Sequence, residues 1–215
     1  MKTIESIVRE VVNSNDEYSI RFTEVGAEWS PFQDLKIKWM RCAKQIDFSV
    51  TDYLIDAPEN AVKGIFECLL AKICGDMDAE YSAEAIEYLT SGEFIKAKRP
   101  VYVSRLPDFA QSRKLTWSLK RLKKKGLIEG DNICLGFSPS GDVDEKASVL
   151  FRTAQINEKL ANADKELLDY AVYKAVKYIE TMKFGSNEAP GPVMAQVETS
   201  YPGWVELNER IKDIL

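Results

Sequence analysis

The sequence predicts an α+β protein, with a twisted mixed sheet carrying packed helices. Three observations carry that prediction: short alternating segments in the first quarter, apolar residues at helical spacing in two long runs, and a β-branched, aromatic stretch at 148–157. At 215 residues the chain has room for one large domain or two small ones. Its 45% hydrophobic and 29% charged residues are ordinary for a globular protein. No apolar run approaches the roughly 20 residues of a membrane span, and MKTIESIVRE lacks a signal-peptide core. The expectation is a cytoplasmic protein with no membrane partner.

Residues 3–13 place Ile4, Ile7, Val8, Val11 and Val12 on one face of a short helix. Alternation in YSIRFTEV (18–25), LKIKWMRC (35–42) and IDFSVTDYLI (46–55) predicts three strands in a β-meander. Ala57-Pro58-Glu59-Asn60 opens a helix whose inward positions are Val62, Ile65, Phe66, Leu69, Leu70 and Ile73, and Gly75 ends it. Ser82 caps a second helix to about Thr90, with Ala85, Ile86 and Leu89 inward. Residues 91–112, broken by Pro100 and Pro107, read as an irregular connection. The expected division is an N-terminal extension over 1–100, a connecting region over 101–147 and a third region over 148–215.

The segment RKLTWSLKRLKKKGLIEG (113–130) reads as a helix with a Leu115, Leu119, Leu122 stripe and a turn at Gly126. Seven of its first thirteen residues are basic: Arg113, Lys114, Lys120, Arg121, Lys123, Lys124 and Lys125. None is acidic, so a chain of net charge −5 carries −12 outside this helix. A helix followed by Gly-Leu-Ile is similar to the second helix and first wing strand of a winged helix-turn-helix, which lays cations along phosphates. A solvated basic face, or a patch docking an acidic protein, is the plainer alternative.

SVLFRTAQIN (148–157) suits one sheet strand. Asp164 then caps the strongest helical pattern in the chain, with Leu167, Leu168, Ala171, Val172, Ala175, Val176 and Ile179 inward. A Gly/Asn/Pro loop at 185–192, a short helix from Val193, the break YPGW and a last helix complete the order.

The chain contains no histidine, which removes the usual imidazole base, the Ser-His-Asp triad and every zinc site using His. Catalysis would have to run on carboxylates, Lys, Tyr or Cys. Cys42, Cys68, Cys74 and Cys134 show no C-x-x-C spacing and read as small buried hydrophobes. Asp142, Asp144 and Glu145 place carboxylates near one another in SGDVDEK, a spacing that fits no calcium loop and reads as solvated surface.

The run SVLFRTAQINEKLANADKELLDYAVYKAVKY, followed by a loop, a short helix and YPGW, resembles the archaeal SprT-like/YgjP-like metallopeptidases, minimal gluzincins of zincin-like fold. IRFTEVG, IKW and FSVTDYLIDAP are similar to the N-terminal extension of one branch. The resemblance implies a zincin-like C-terminal half. It sets Leu168-Asp169-Tyr170 on the approach to the active helix, Lys174 at the first zinc-binding His, Ala175 at the catalytic Glu, Tyr178 at the second His and Pro190 near the third ligand. A protonated Lys repels a cation and Ala carries no base, so these positions do not support the family's mechanism.

The implied function is therefore a catalytically inactive, metal-free homologue retained as a protein- or peptide-binding scaffold, with no cofactor. Its peptide would dock along an edge strand through Val149, Phe151, Thr153 and Gln155. Nucleic-acid binding through 113–125 is the alternative. A hydrolase with a replacement site, for which Lys174 and Tyr178 at i and i+4 are candidates, is the second.

Overall fold

The computed structural model describes residues 2–139, 143, 145–185 and 188–215. The chain is mixed α+β and divides into two compact units, 1–94 and 95–215, each with its own three-stranded mixed sheet. Regions 101–147 and 148–215 thus fall in one unit. Among the described residues no helix is long and apolar enough to cross a membrane.

In the first unit, α1 (Ile4–Asn13) buries the five predicted apolar residues, and the Thr3 hydroxyl accepts from the Ser6 N–H to cap it. A short helix, α2 (Asp16–Arg21), stands where alternation predicts a strand from 18. The Asn15 side chain accepts from the Glu17 and Tyr18 N–H groups, and this cap outweighs four residues of alternation. The strands are β1 (Glu24–Ser30), β2 (Ile37–Cys42) and β3 (Gln45–Thr51). They form no meander: the order is β1-β3-β2, with β1 parallel and β2 antiparallel to β3. The link through 31–36 carries the chain past the place β3 will fill, and β2 returns as a hairpin through Ala43. β2 is left at the edge with most of its residues exposed, whereas β3 buries Ile46, Phe48 and Val50.

Two helices complete the unit, α3 (Glu59–Cys74), ended by Gly75 at φ 113°, and α4 (Ala83–Thr90). Gly64 lets α3 approach the Ser82 cap of α4, since a Cβ on Gly64 would lie 2.7 Å from the Ser82 Cβ. Gly64→Ala gains about 1 kcal/mol of helix propensity. It also displaces a cap worth about 1 kcal/mol and overpacks the contact by about 1–3 kcal/mol. The net expectation is a loss of about 1–3 kcal/mol in urea unfolding.

Residues 92–104 form a helix, α5 (Gly92–Ser104), despite Pro100. Proline forfeits one helical hydrogen bond; buried Tyr102, stacked on Phe151 at 4.4 Å between ring centroids, anchors the following turn.

The second unit continues with α6 (Arg113–Lys124), β4 (Cys134–Ser138), β5 (Glu145–Ser148), β6 (Thr153–Asn157), α7 (Lys165–Thr181), α8 (Pro190–Thr199) and α9 (Trp204–Lys212). The strand expected over 148–157 is the end of β5, a tight turn through 149–152 with Arg152 at φ 46°, and then β6. An apolar turn sequence hides that reversal. The sheet order is β4-β6-β5, with β4 parallel and β5 antiparallel to β6. α7 is the hub: α6, α8, α9, β5 and β6 all pack on it, and every residue from Leu167 to Val176 is buried. Asp164 caps it, its carboxyl held below the ordinary range first by the Leu167 N–H. Ser186 and Asn187 of the expected 185–192 loop lie outside the described residues.

Candidate functional site

Of the four positions matched to the peptidase motif, Lys174 is 3% exposed and enclosed between two carboxylates. Its Nζ lies 3.2 Å from Glu145 Oε2 on β5, an ion pair without hydrogen-bond alignment, and 3.6 Å from Glu198 Oε1 on α8. The ammonium also sits 5.1 Å from the centre of the Tyr170 ring. Ala175 is in the core, Tyr178 is half-buried and Pro190 is exposed at the start of α8. The helix therefore presents no open reactive group at Lys174. Glu145, expected on a solvated loop, is buried as its ion-pair partner; Asp142 and Asp144 lie outside the described residues. Among the described residues no three His, Cys, Asp or Glu side chains are grouped to hold a metal ion.

The expected docking edge is not an edge. β6 is the central strand of its sheet, hydrogen-bonded to β4 on one side and β5 on the other. Thr153 and Gln155 are buried there, and Gln155 accepts from the Ser138 hydroxyl at 3.2 Å. Val149 and Phe151 belong to the preceding turn, with Phe151 buried under Tyr102. A strand whose backbone groups are already paired on both sides offers a peptide none.

The basic helix is built differently. One face of α6, Leu115, Ser118 and Leu122, is buried, while Leu119 is half-buried. At 100° per residue the opposite face is Arg113, Trp117, Lys120 and Lys124, a single row at i, i+4, i+7 and i+11, all exposed. Lys114, Arg121 and Lys125 flank the row on one side and Lys123 on the other.

Some of these cations have structural duties. Arg121 donates from Nε to Asp169 Oδ2 at 3.0 Å and from Nη2 to Oδ1 at 2.6 Å, and the Ser118 hydroxyl donates to the same carboxylate. These hydrogen bonds raise the Arg121 pKa further and pin α6 to α7. Lys114 donates to the Ala161 carbonyl at 2.6 Å, and Lys123 to Asp131 at 2.7 Å. Among the described residues no carboxylate pairs with Arg113, Lys120, Lys124 or Lys125.

Leu127 and Ile128 begin no wing strand. Residues 127–133 are a loop whose Glu129 and Gly130 N–H groups donate to Glu180 of α7 at 2.9 and 2.6 Å, and the next strand, β4, joins the sheet of the second unit in parallel with β6. Two adjoining cavities lie along the flank of α6. One of about 220 Å³ is lined by Lys114, Trp117, Arg121, Ala163, Lys165 and Leu168. The other, of about 520 Å³, shares Arg121 and Lys165 and continues to Lys125, Tyr201 and Pro202, with Glu166 and Asp169 also on its wall.

Sequence reasoning found the seven cations but not Trp117 at the centre of their row. The signal was available: Trp117 is four residues after Arg113, three before Lys120 and seven before Lys124. Asp169 as the anchor of Arg121 carried no comparable signal. The cysteines are all free, but of the four expected to be buried only Cys68 is: Cys42 is exposed and Cys74 and Cys134 are half-buried. No family model matches the chain, and no curated protein matches it.

Proposed function

We propose that the protein binds nucleic acid through the outward face of α6. The observation that carries this reading is the exposed row Arg113, Trp117, Lys120 and Lys124, standing opposite the buried Leu115, Ser118 and Leu122 and free of carboxylate partners among the described residues. Interleaved cations and an aromatic ring suit a polyanion with stackable bases. A membrane surface is a poorer fit, because an interfacial helix needs a wide apolar face and that of α6 is already spent against the core. The chain outside this helix carries a net −12, so its overall charge disfavours a polyanion and the basic excess lies on the helix.

The resemblance to SprT-like peptidases then concerns the origin of the scaffold, a zincin-like half supported by the order β6, α7, α8 and the Tyr201–Trp204 break. The binding role moves from a peptide edge to the basic helix.

Fluorescence anisotropy of labelled oligonucleotides across a salt series tests the reading. Neutralising about four phosphates gives a log–log slope near −3, a loss of about 50- to 150-fold in affinity between roughly 50 and 200 mM salt. The triple variant Arg113→Glu, Lys120→Glu, Lys124→Glu is expected to abolish binding while leaving the thermal midpoint close to that of the parent, since all three residues are exposed. Salt-independent binding, or an unaffected triple variant, overturns the proposal.

A further inference from the structure

Resting on that reading, we infer that the ligand is single-stranded and that Trp117, with the cavity beside it, seats one unstacked base. A lone exposed tryptophan is ordinary on a protein surface. Trp117 is unusual in its surroundings: it is 56% exposed and forms one wall of the 220 Å³ cavity whose apolar lining continues through Ala163 and Leu168. The remaining lining residues are Lys114, Arg121 and Lys165, three cations and no carboxylate. An apolar slot with a cationic rim matches a flat base joined to a phosphate.

The rim is partly preorganised. Asp169 fixes the Arg121 guanidinium from behind, and the Ala161 carbonyl holds the Lys114 ammonium, so less side-chain freedom is lost when a phosphate arrives. The larger cavity leads on past Arg121 and Lys165 to Lys125 and the buried Tyr201, a path for the neighbouring nucleotide on which both wall carboxylates, Glu166 and Asp169, are already paired, with Arg210 and Arg121. Duplex bases are stacked and paired, so no base face is available to Trp117 without extrusion from the helix. Among the described residues the lining of the smaller cavity holds no amide, hydroxyl or carboxylate side chain to read a base edge. Discrimination among bases then follows stacking strength rather than a hydrogen-bond pattern.

The test compares a labelled single strand with a duplex of equal length at fixed salt, for the parent chain, Trp117→Ala and Trp117→Phe. The single strand is expected to bind at least about tenfold more tightly than the duplex. Trp117→Ala should weaken it about tenfold with the salt slope unchanged, and Trp117→Phe should retain most of the affinity. Equal or tighter duplex binding, or a Trp117→Ala variant that leaves the single strand unaffected, overturns this inference while the charge dependence of the triple variant still upholds nucleic-acid binding. Binding of poly-glutamate or phosphatidylserine vesicles in place of either oligonucleotide overturns both.

Discussion

Lys174→Ala is expected to remove about 3–5 kcal/mol of unfolding free energy, the range for deleting one partner of a buried ion pair. The lysine is almost fully enclosed, and the carboxylates of Glu145 and Glu198 face its ammonium at 3.2 and 3.6 Å. Truncation leaves the Glu145 carboxylate, itself buried on β5, without that charge, and opens space against Tyr170. Glu198 is better exposed and can turn to water. A double variant, Lys174→Met with Glu145→Gln, keeps the volume and removes both charges, so it should recover much of the loss. Urea unfolding of the two variants beside the parent measures the difference. A single-variant loss below about 1 kcal/mol would show that the ion pair does not hold β5 and α8 to α7. The same burial bears on the replacement-site hydrolase: a nucleophile or base must reach its substrate, and Lys174 is closed off by the elements it joins.

Asp169→Ala should cost about 2–3 kcal/mol, a smaller figure because Arg121 can be rehydrated. The aspartate side chain is 4% exposed and takes hydrogen bonds from Ser118 and Arg121, the latter 34% exposed. Ser118, completely buried, loses the acceptor for its hydroxyl. Asp169→Asn keeps one carbonyl acceptor and should fall between the parent and the alanine variant. Thermal or urea unfolding of both checks the order. Because Asp169 also aims Arg121 at the rim of the smaller cavity, oligonucleotide affinity in Asp169→Asn is expected to drop with little change in the salt slope: the cation remains but is no longer held in place.

Helical periodicity made α1, α3, α6 and α7 legible, together with the caps Ser82 and Asp164 and the stop at Gly75, because each depends on residues close in sequence. What escaped depends on distant partners or on competition between local signals. Alternation marks which side chains face inward but says nothing of which strand lies alongside, so the parallel pairing of β1 with β3 was invisible, as was the central place of β6. A four-residue reversal inside SVLFRTAQIN carries no Gly or Pro to announce it. Pro100 reads as a break, yet the packing of Tyr102 sustains α5 around it. The seven cations of the candidate site were plain in the sequence. Their division into an outward row and an inward-braced Arg121 became visible only once Asp169 was placed on the neighbouring helix.

The edge position of β2 has a consequence for solubility. A six-residue strand with exposed Trp39 and Met40 and a free row of backbone groups is a template on which a second copy could add. Centred antiparallel addition would set Trp39 across from Met40, a favourable pair, but it would also set Lys38 directly across from Arg41 on either side of that centre. Like charges held opposite one another oppose that register. In the monomer Lys38 lies over the Phe32 ring at 5.1 Å and Arg41 over the Phe22 ring at 5.3 Å, so the two cations already have aromatic contacts that a docking strand would disturb. The pair Lys38 and Arg41 thus works as a gatekeeper for the exposed Trp39 and Met40 between them.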